Sequence, residues 1–67
     1  MTMGENMATA RKAKGLTQLE LGKQACISSS TIASWEEDKH WPSVVLASAV
    51  CDILGITIDE YIGRAKG

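Results

Sequence analysis

Between Ser28 and Ser34 the chain carries five hydroxyl side chains, Ser28, Ser29, Ser30, Thr31 and Ser34, interrupted only by Ile32 and Ala33. Each hydroxyl donates and accepts single hydrogen bonds, and small side chains let the backbone come close to whatever they touch. Three acids follow, Glu36, Glu37 and Asp38, and then Lys39 and His40. Covalent chemistry would need a nucleophile with a base beside it, and the sequence offers no such pair, so no enzymatic activity is expected. Cys26 and Cys51 do not form a CxxC pair, and one histidine cannot complete an ordinary zinc set with them. No metal, cofactor or small-molecule ligand is expected. Both cysteines fall at apolar positions and are read as free, buried, reduced thiols.

The elements that must hold these residues follow from punctuation. The chain has 67 residues with seven Lys/Arg against eight Asp/Glu, a formal charge of −1, so there is one small core and no global basic field. A single domain over residues 1–67 is expected. No apolar run approaches the ~20 residues of a membrane span, and the opening MTMGENM lacks the layout of a secretory signal, which makes the cytoplasm the default location. Strand patterns are absent and five short helices fit. The first covers about 4–14, with Met3, Met7, Ala10 and Ala13 or Lys14 at helical spacing, and stops at Gly15. Thr17 and Glu20 form a capping-box pattern for a second helix that buries Leu21 and Ala25 and ends near Cys26. Ser28 caps a third, which buries Ile32 and Trp35 and stops near Asp38. Pro42 and Ser43 open a fourth that ends at Leu54-Gly55. Thr57 caps the last, Ile58 to Ile62, with Asp59 and Glu60 in the first turn where the helix dipole favours acids. The reading is a compact all-α fold.

Two short helices joined by a roughly three-residue turn, over about 17–37, form a helix-turn-helix layout. Close crossing of the two helices demands a very small side chain, here Gly22. With Arg11, Gly15-Leu16-Thr17-Gln18, Leu21, Ile27-Ser28, Thr31-Ile32, Trp35-Glu36, Pro42-Ser43, Leu54-Gly55-Ile56-Thr57 and Asp59-Glu60 in order, the chain resembles the Cro/repressor-type family of phage and bacterial regulators, the XRE-like or lambda-repressor-like helix-turn-helix proteins. The resemblance runs from about residue 4 to 63. It implies a five-helix fold that binds double-stranded DNA. Thr17 and Gln18 would meet a phosphate at the start of the second helix. Ser28, Ser29, Ser30, Thr31 and Ser34 would enter or border the major groove, and Lys39 and His40 would contact the DNA backbone. Arg11 and Glu36 match a structural ion pair. Three positions depart from the pattern: Cys26 stands for the turn glycine, Gly22 for the small alanine of helix two, and Asp38 for the glycine after the Trp-Glu pair.

Taken as chemistry, the third helix discriminates poorly, because Ser and Thr make one bond where Arg on guanine or Gln on adenine makes two. Glu37 and Asp38, past the anchor Trp35, either repel phosphate or point sideways, and the available cations are few: Lys12, Lys14, Lys23, Lys39 and a protonated His40. Helix four adds a second surface. Val44, Ala47, Val50, Cys51 and Leu54 form its core face, while Val45, Leu46, Ala49 and Ile53 form a second apolar stripe on nearly the opposite side. A helix apolar nearly all round is covered on both sides, so that stripe, with Trp41, is expected to make a homodimer or partner interface. The function expected is a sequence-specific regulator, a small repressor acting as a dimer on a palindromic operator. The alternative is a protein-interaction module on the same scaffold, of antitoxin-like or regulator-binding kind.

Overall fold

The computed structural model describes residues 1–63; the last four residues of the span expected for the domain lie outside. Five helices follow in order: α1 Met3–Ala13, α2 Gln18–Ala25, α3 Ser29–Glu36, α4 Val44–Leu54 and α5 Ile58–Ile62. Among the described residues there is no strand, and no helix is long and apolar enough to cross a membrane. The all-α fold expected from the sequence is the fold observed.

Each helix begins where a hydroxyl side chain accepts a bond from an otherwise unpaired amide. Thr17 accepts from the Glu20 N–H, Ser28 from Thr31, Ser43 from Leu46 and Thr57 from Glu60. Full capping boxes close α2 and α5, since Glu20 and Glu60 reach back to the cap amides. A third box, Thr2 with Glu5, starts α1 at Met3, one residue earlier than the expected helix and without having been read from the sequence.

The core gathers Met7, Leu21, Ile32, Trp35, Ala47, Val50, Cys51, Leu54 and Tyr61. Two glycines let the helices approach. A Cβ on Gly22 would collide with the Ile27 carbonyl in the turn between α2 and α3. One on Gly4 would strike the Trp35 and Glu36 carbonyls, so α1 lies directly on the end of α3. The crossing argument anticipated the first of these and missed the second.

Three expectations need correction. Cys26 is exposed rather than buried, because as the last residue of the α2 cap it takes a left-handed backbone at φ +60° that turns its side chain out of the core. Val44 is 80% exposed; it stands in the first turn of α4, before the helix reaches the core at Ala47. Ile53 is half-buried and packs on the core, so only part of it belongs to the outer stripe.

Candidate nucleic-acid interface

α3 lies across α1 and α2, pinned by Ile32 and Trp35 at 0% and 3% exposure. The residues of α3 outside those anchors define its outer face. Ser30 is exposed, and Ser29, Ala33 and Ser34 are half-buried. Of the five hydroxyls in this run, two are engaged within the helix start. Ser28 Oγ lies 2.8 Å from Thr31 Oγ1 and accepts from the Thr31 amide at 3.2 Å. Ser29, Ser30 and Ser34 make no side-chain hydrogen bond among the described residues, which leaves them as the groups on this face able to bond outward.

The three acids at the end of the helix and just past it are all occupied. Glu36 accepts from Arg11 through both oxygens, Nε to Oε2 at 2.7 Å and Nη2 to Oε1 at 3.1 Å. It also accepts from Gln18 Nε2 at 2.9 Å. Arg11 completes its bonds by donating Nη1 to the Leu16 carbonyl at 2.7 Å. The pair is nearly dry, with side chains 10% and 7% exposed, and it ties α1, α2 and α3 together. Asp38 sits at φ +62° and accepts from the Gly4 N–H at 2.9 Å, which places a carboxylate on the positive end of α1. Glu37 pairs with Lys39 Nζ at 3.1 Å, both largely in solvent. An exposed pair of this kind contributes little to stability, yet it sets a cation beside the Glu37 carboxylate.

At the start of α2, the Thr17 hydroxyl accepts from the Glu20 amide at 3.0 Å and still carries its own proton as a donor. The Gln18 and Leu19 amides, in the first turn, find no acceptor among the described residues. Gln18, expected to face outward, is held by Glu36, so its amide group is positioned rather than free. Lys39 and His40 are exposed in the loop between α3 and α4. His40 joins Ser30, Thr31, Ser34 and Trp35 around an open groove of about 330 Å³. Sequence reasoning missed the Gln18–Glu36 and Asp38–Gly4 bonds. Both join residues far apart in the chain, and nothing in local spacing announces them.

The loop after α3 and the start of α4 expose apolar side chains. Trp41 is 63% exposed and Val45 76%, next to Val44, with Leu46 and Ala49 also in solvent.

Comparison with known proteins agrees with the geometry. The helix-turn-helix family profile matches residues 7–61. The chain is 36% identical over 64 residues to the immunity repressor protein of Bacillus phage phi105, covering 96% of this chain and 44% of that protein. It is 31% identical over 62 residues to the HTH-type transcriptional activator BcrR of Enterococcus faecalis, covering 92% of this chain and 30% of that one. The chain therefore spans less than half the length of these curated relatives. Among solved structures, it superposes on the P22 c2 repressor in complex with synthetic operator 9T with a TM-score of 0.90 at 26% identity, covering 96% of this chain and 97% of that one.

Proposed function

The chain belongs to the helix-turn-helix family, and from that membership we propose that it is a DNA-binding transcriptional regulator that acts by laying α3 in the major groove of an operator. The observation that carries the reading is the accounting of the acids: Glu36, Glu37 and Asp38 each have a partner, so α3 presents Ser29, Ser30 and Ser34 without a free carboxylate beside them. The phi105 immunity repressor and the operator-bound P22 c2 repressor support the same assignment.

In this reading a phosphate sits at the N-terminus of α2, bonded by the Thr17 hydroxyl, the unpaired Gln18 amide and the Gln18 side chain that Glu36 holds in place. Ser29, Ser30 and Ser34 meet base edges, Ser28 and Thr31 border the groove, and Lys39 and His40 face the DNA backbone. Single-bond hydroxyls discriminate weakly between bases, so selectivity rests on DNA shape and on the spacing of two heads about 34 Å apart in a dimer. The dimer forms through Trp41, Val45, Leu46 and Ala49, with Val44 added and Ile53 at the edge. Repression follows from occupancy of the operator; BcrR, named as an activator, marks the other outcome, which depends on where the operator lies relative to a promoter. The intracellular setting of DNA makes the cytoplasm the proposed location.

Fluorescence anisotropy against a randomised duplex pool at two salt concentrations tests the reading, followed by sequencing of the bound fraction. Binding is expected to weaken steeply with salt, through counterion release, and the pool to yield a two-fold symmetric site. Absence of salt-dependent binding would leave the exposed apolar patch as the functional surface and favour the protein-interaction alternative.

A further inference from the structure

Each helix is followed by a residue with left-handed backbone, in order Gly15, Cys26, Asp38, Gly55 and Gly63. Of these, Asp38 alone has a side chain that reaches another helix. α3 closes with the Asp38 amide bonded to the Trp35 carbonyl at 3.2 Å and the Lys39 amide bonded to the Ser34 carbonyl at 3.0 Å. Glycine fills this paired turn with the least strain, so the turn itself has no need of a carboxylate. What the carboxylate bonds is the Gly4 N–H in the first turn of α1, at 2.9 Å. That turn already has a cap of its own. Thr2 Oγ1 accepts from the Glu5 amide at 3.1 Å and Glu5 Oε1 from the Thr2 amide at 2.9 Å, while the Gly4 amide goes to Asp38. The two elements lie in close contact, since a Cβ on Gly4 would strike the Trp35 and Glu36 carbonyls. Lys39 and His40 follow directly, both exposed.

We propose that Asp38 is a positioning residue for DNA binding: its bond to α1 fixes the start of the following loop, and so sets where Lys39 stands. The proposal rests on the DNA-binding reading above and deepens it, by giving a binding role to a residue whose charge alone opposes DNA. The carboxylate is directed to the positive end of α1, and the loop is tethered at two points, the Ser34 carbonyl and the Gly4 amide. Without the side chain the left-handed turn survives on its backbone bonds, but the tether to α1 is gone. Lys39, whose amine lies 3.1 Å from Glu37 in the free chain, is then held less firmly. Charge and position predict opposite signs. Removing a carboxylate near the DNA strand tightens binding if its charge is what matters, whereas freeing the loop weakens binding.

The test compares the native chain with Asp38→Asn and Asp38→Gly by anisotropy on duplex DNA across a salt series, with circular dichroism to check that the helices are kept. Both replacements tolerate left-handed backbone. Asp38→Asn loses the charge but keeps an oxygen that can accept from Gly4, so it should bind at least as tightly as the native chain, with the native salt slope. Asp38→Gly keeps the turn and loses the bond. It should bind about three- to tenfold more weakly, with a log–log salt slope shallower by about 0.9, the value for one phosphate contact. In a Lys39→Gln background that contact is already gone, and Asp38→Gly should change neither affinity nor slope further. Asp38→Gly binding as tightly as the native chain, or more tightly, overturns the proposal and leaves DNA binding intact. Equal weakening by Asp38→Asn overturns it too, as does a further loss in the Lys39→Gln background, since Asp38 then acts by some route other than Lys39. Absence of salt-dependent binding by the native chain overturns the DNA-binding reading, and this inference with it.

Discussion

At the scale of single residues, the Arg11–Glu36 pair carries more than one duty. Both side chains are nearly dry, so removing one leaves a buried charge without its counter-ion. Glu36→Ala should cost about 3–5 kcal/mol, read as a lower midpoint in urea unfolding. The same change releases Gln18, whose amide is held by Glu36, so DNA affinity should fall by more than the loss of folded protein accounts for. Tyr61 makes a contrasting case. Its ring is buried and its hydroxyl finds no hydrogen-bond partner among the described residues. Burial, then the neighbouring Cys51 and Asp38, push its ionisation up to about 12 from the ordinary 10.0. The folded chain therefore keeps this proton after the unfolded chain has lost it. The associated stability is present in full below pH 10 and is lost as pH rises toward 12. Thermal unfolding in alkaline buffer should show about 1 kcal/mol lost by pH 11. Tyr61→Phe should remove that part of the slope and, having no bond to break, should cost little at neutral pH. Cys51, whose thiol is also pushed up by burial, leaves a residual slope of the same sign.

At the scale of elements, two non-glycine residues hold left-handed turns, Cys26 at φ +60° after α2 and Asp38 at φ +62° after α3. Such a conformation costs an L-residue roughly 1–2 kcal/mol, and the two positions differ in what offsets it. Cys26 is exposed and makes no side-chain bond among the described residues, so Cys26→Gly should raise stability by about 1 kcal/mol in thermal or urea unfolding. Asp38→Gly relieves the same strain but removes the carboxylate that caps α1 through the Gly4 amide. Its net change should be near zero or destabilising, and equal gains at both positions would contradict the capping role. This difference also shows what the sequence could reveal. Helix starts were legible because Thr17, Ser28, Ser43 and Thr57 act within their own first turns, and the helix ends because Gly15 and Gly55 take positive φ. Whether Asp38 opposes DNA or braces α1 was not legible, since the answer depends on a residue 34 positions away. The same holds for Gly4, whose importance appears only when the end of α3 lies against it. The serines of α3 were found as a set, but only the geometry separates the capping pair Ser28 and Thr31 from Ser29, Ser30 and Ser34.

At the scale of the whole molecule, what matters is how two reading heads are kept in register. Trp41, Val44, Val45 and Leu46 are exposed apolar side chains around the start of α4, but four side chains fall short of the roughly 800 Å² each partner gives to a standard stable interface. The free chain should therefore be largely monomeric at low concentration. Association should strengthen on DNA, where an adjacent half-site supplies a high effective concentration of the second copy. Binding to a two-site operator should then rise more steeply with protein concentration than binding to a single half-site. Replacing Val45 and Leu46 with Glu tests this without touching the core, because both side chains are already exposed; Ile53, half-buried against the core, is left intact so that a loss of folding does not confound the result. The double variant should keep its helices and its weak, salt-sensitive binding to a half-site while losing the steepness on the full operator, with its mass by light scattering staying at the monomer value. If the steepness on the full operator is unchanged, register is set by a surface other than α4, and the exposed patch must be assigned to a different partner.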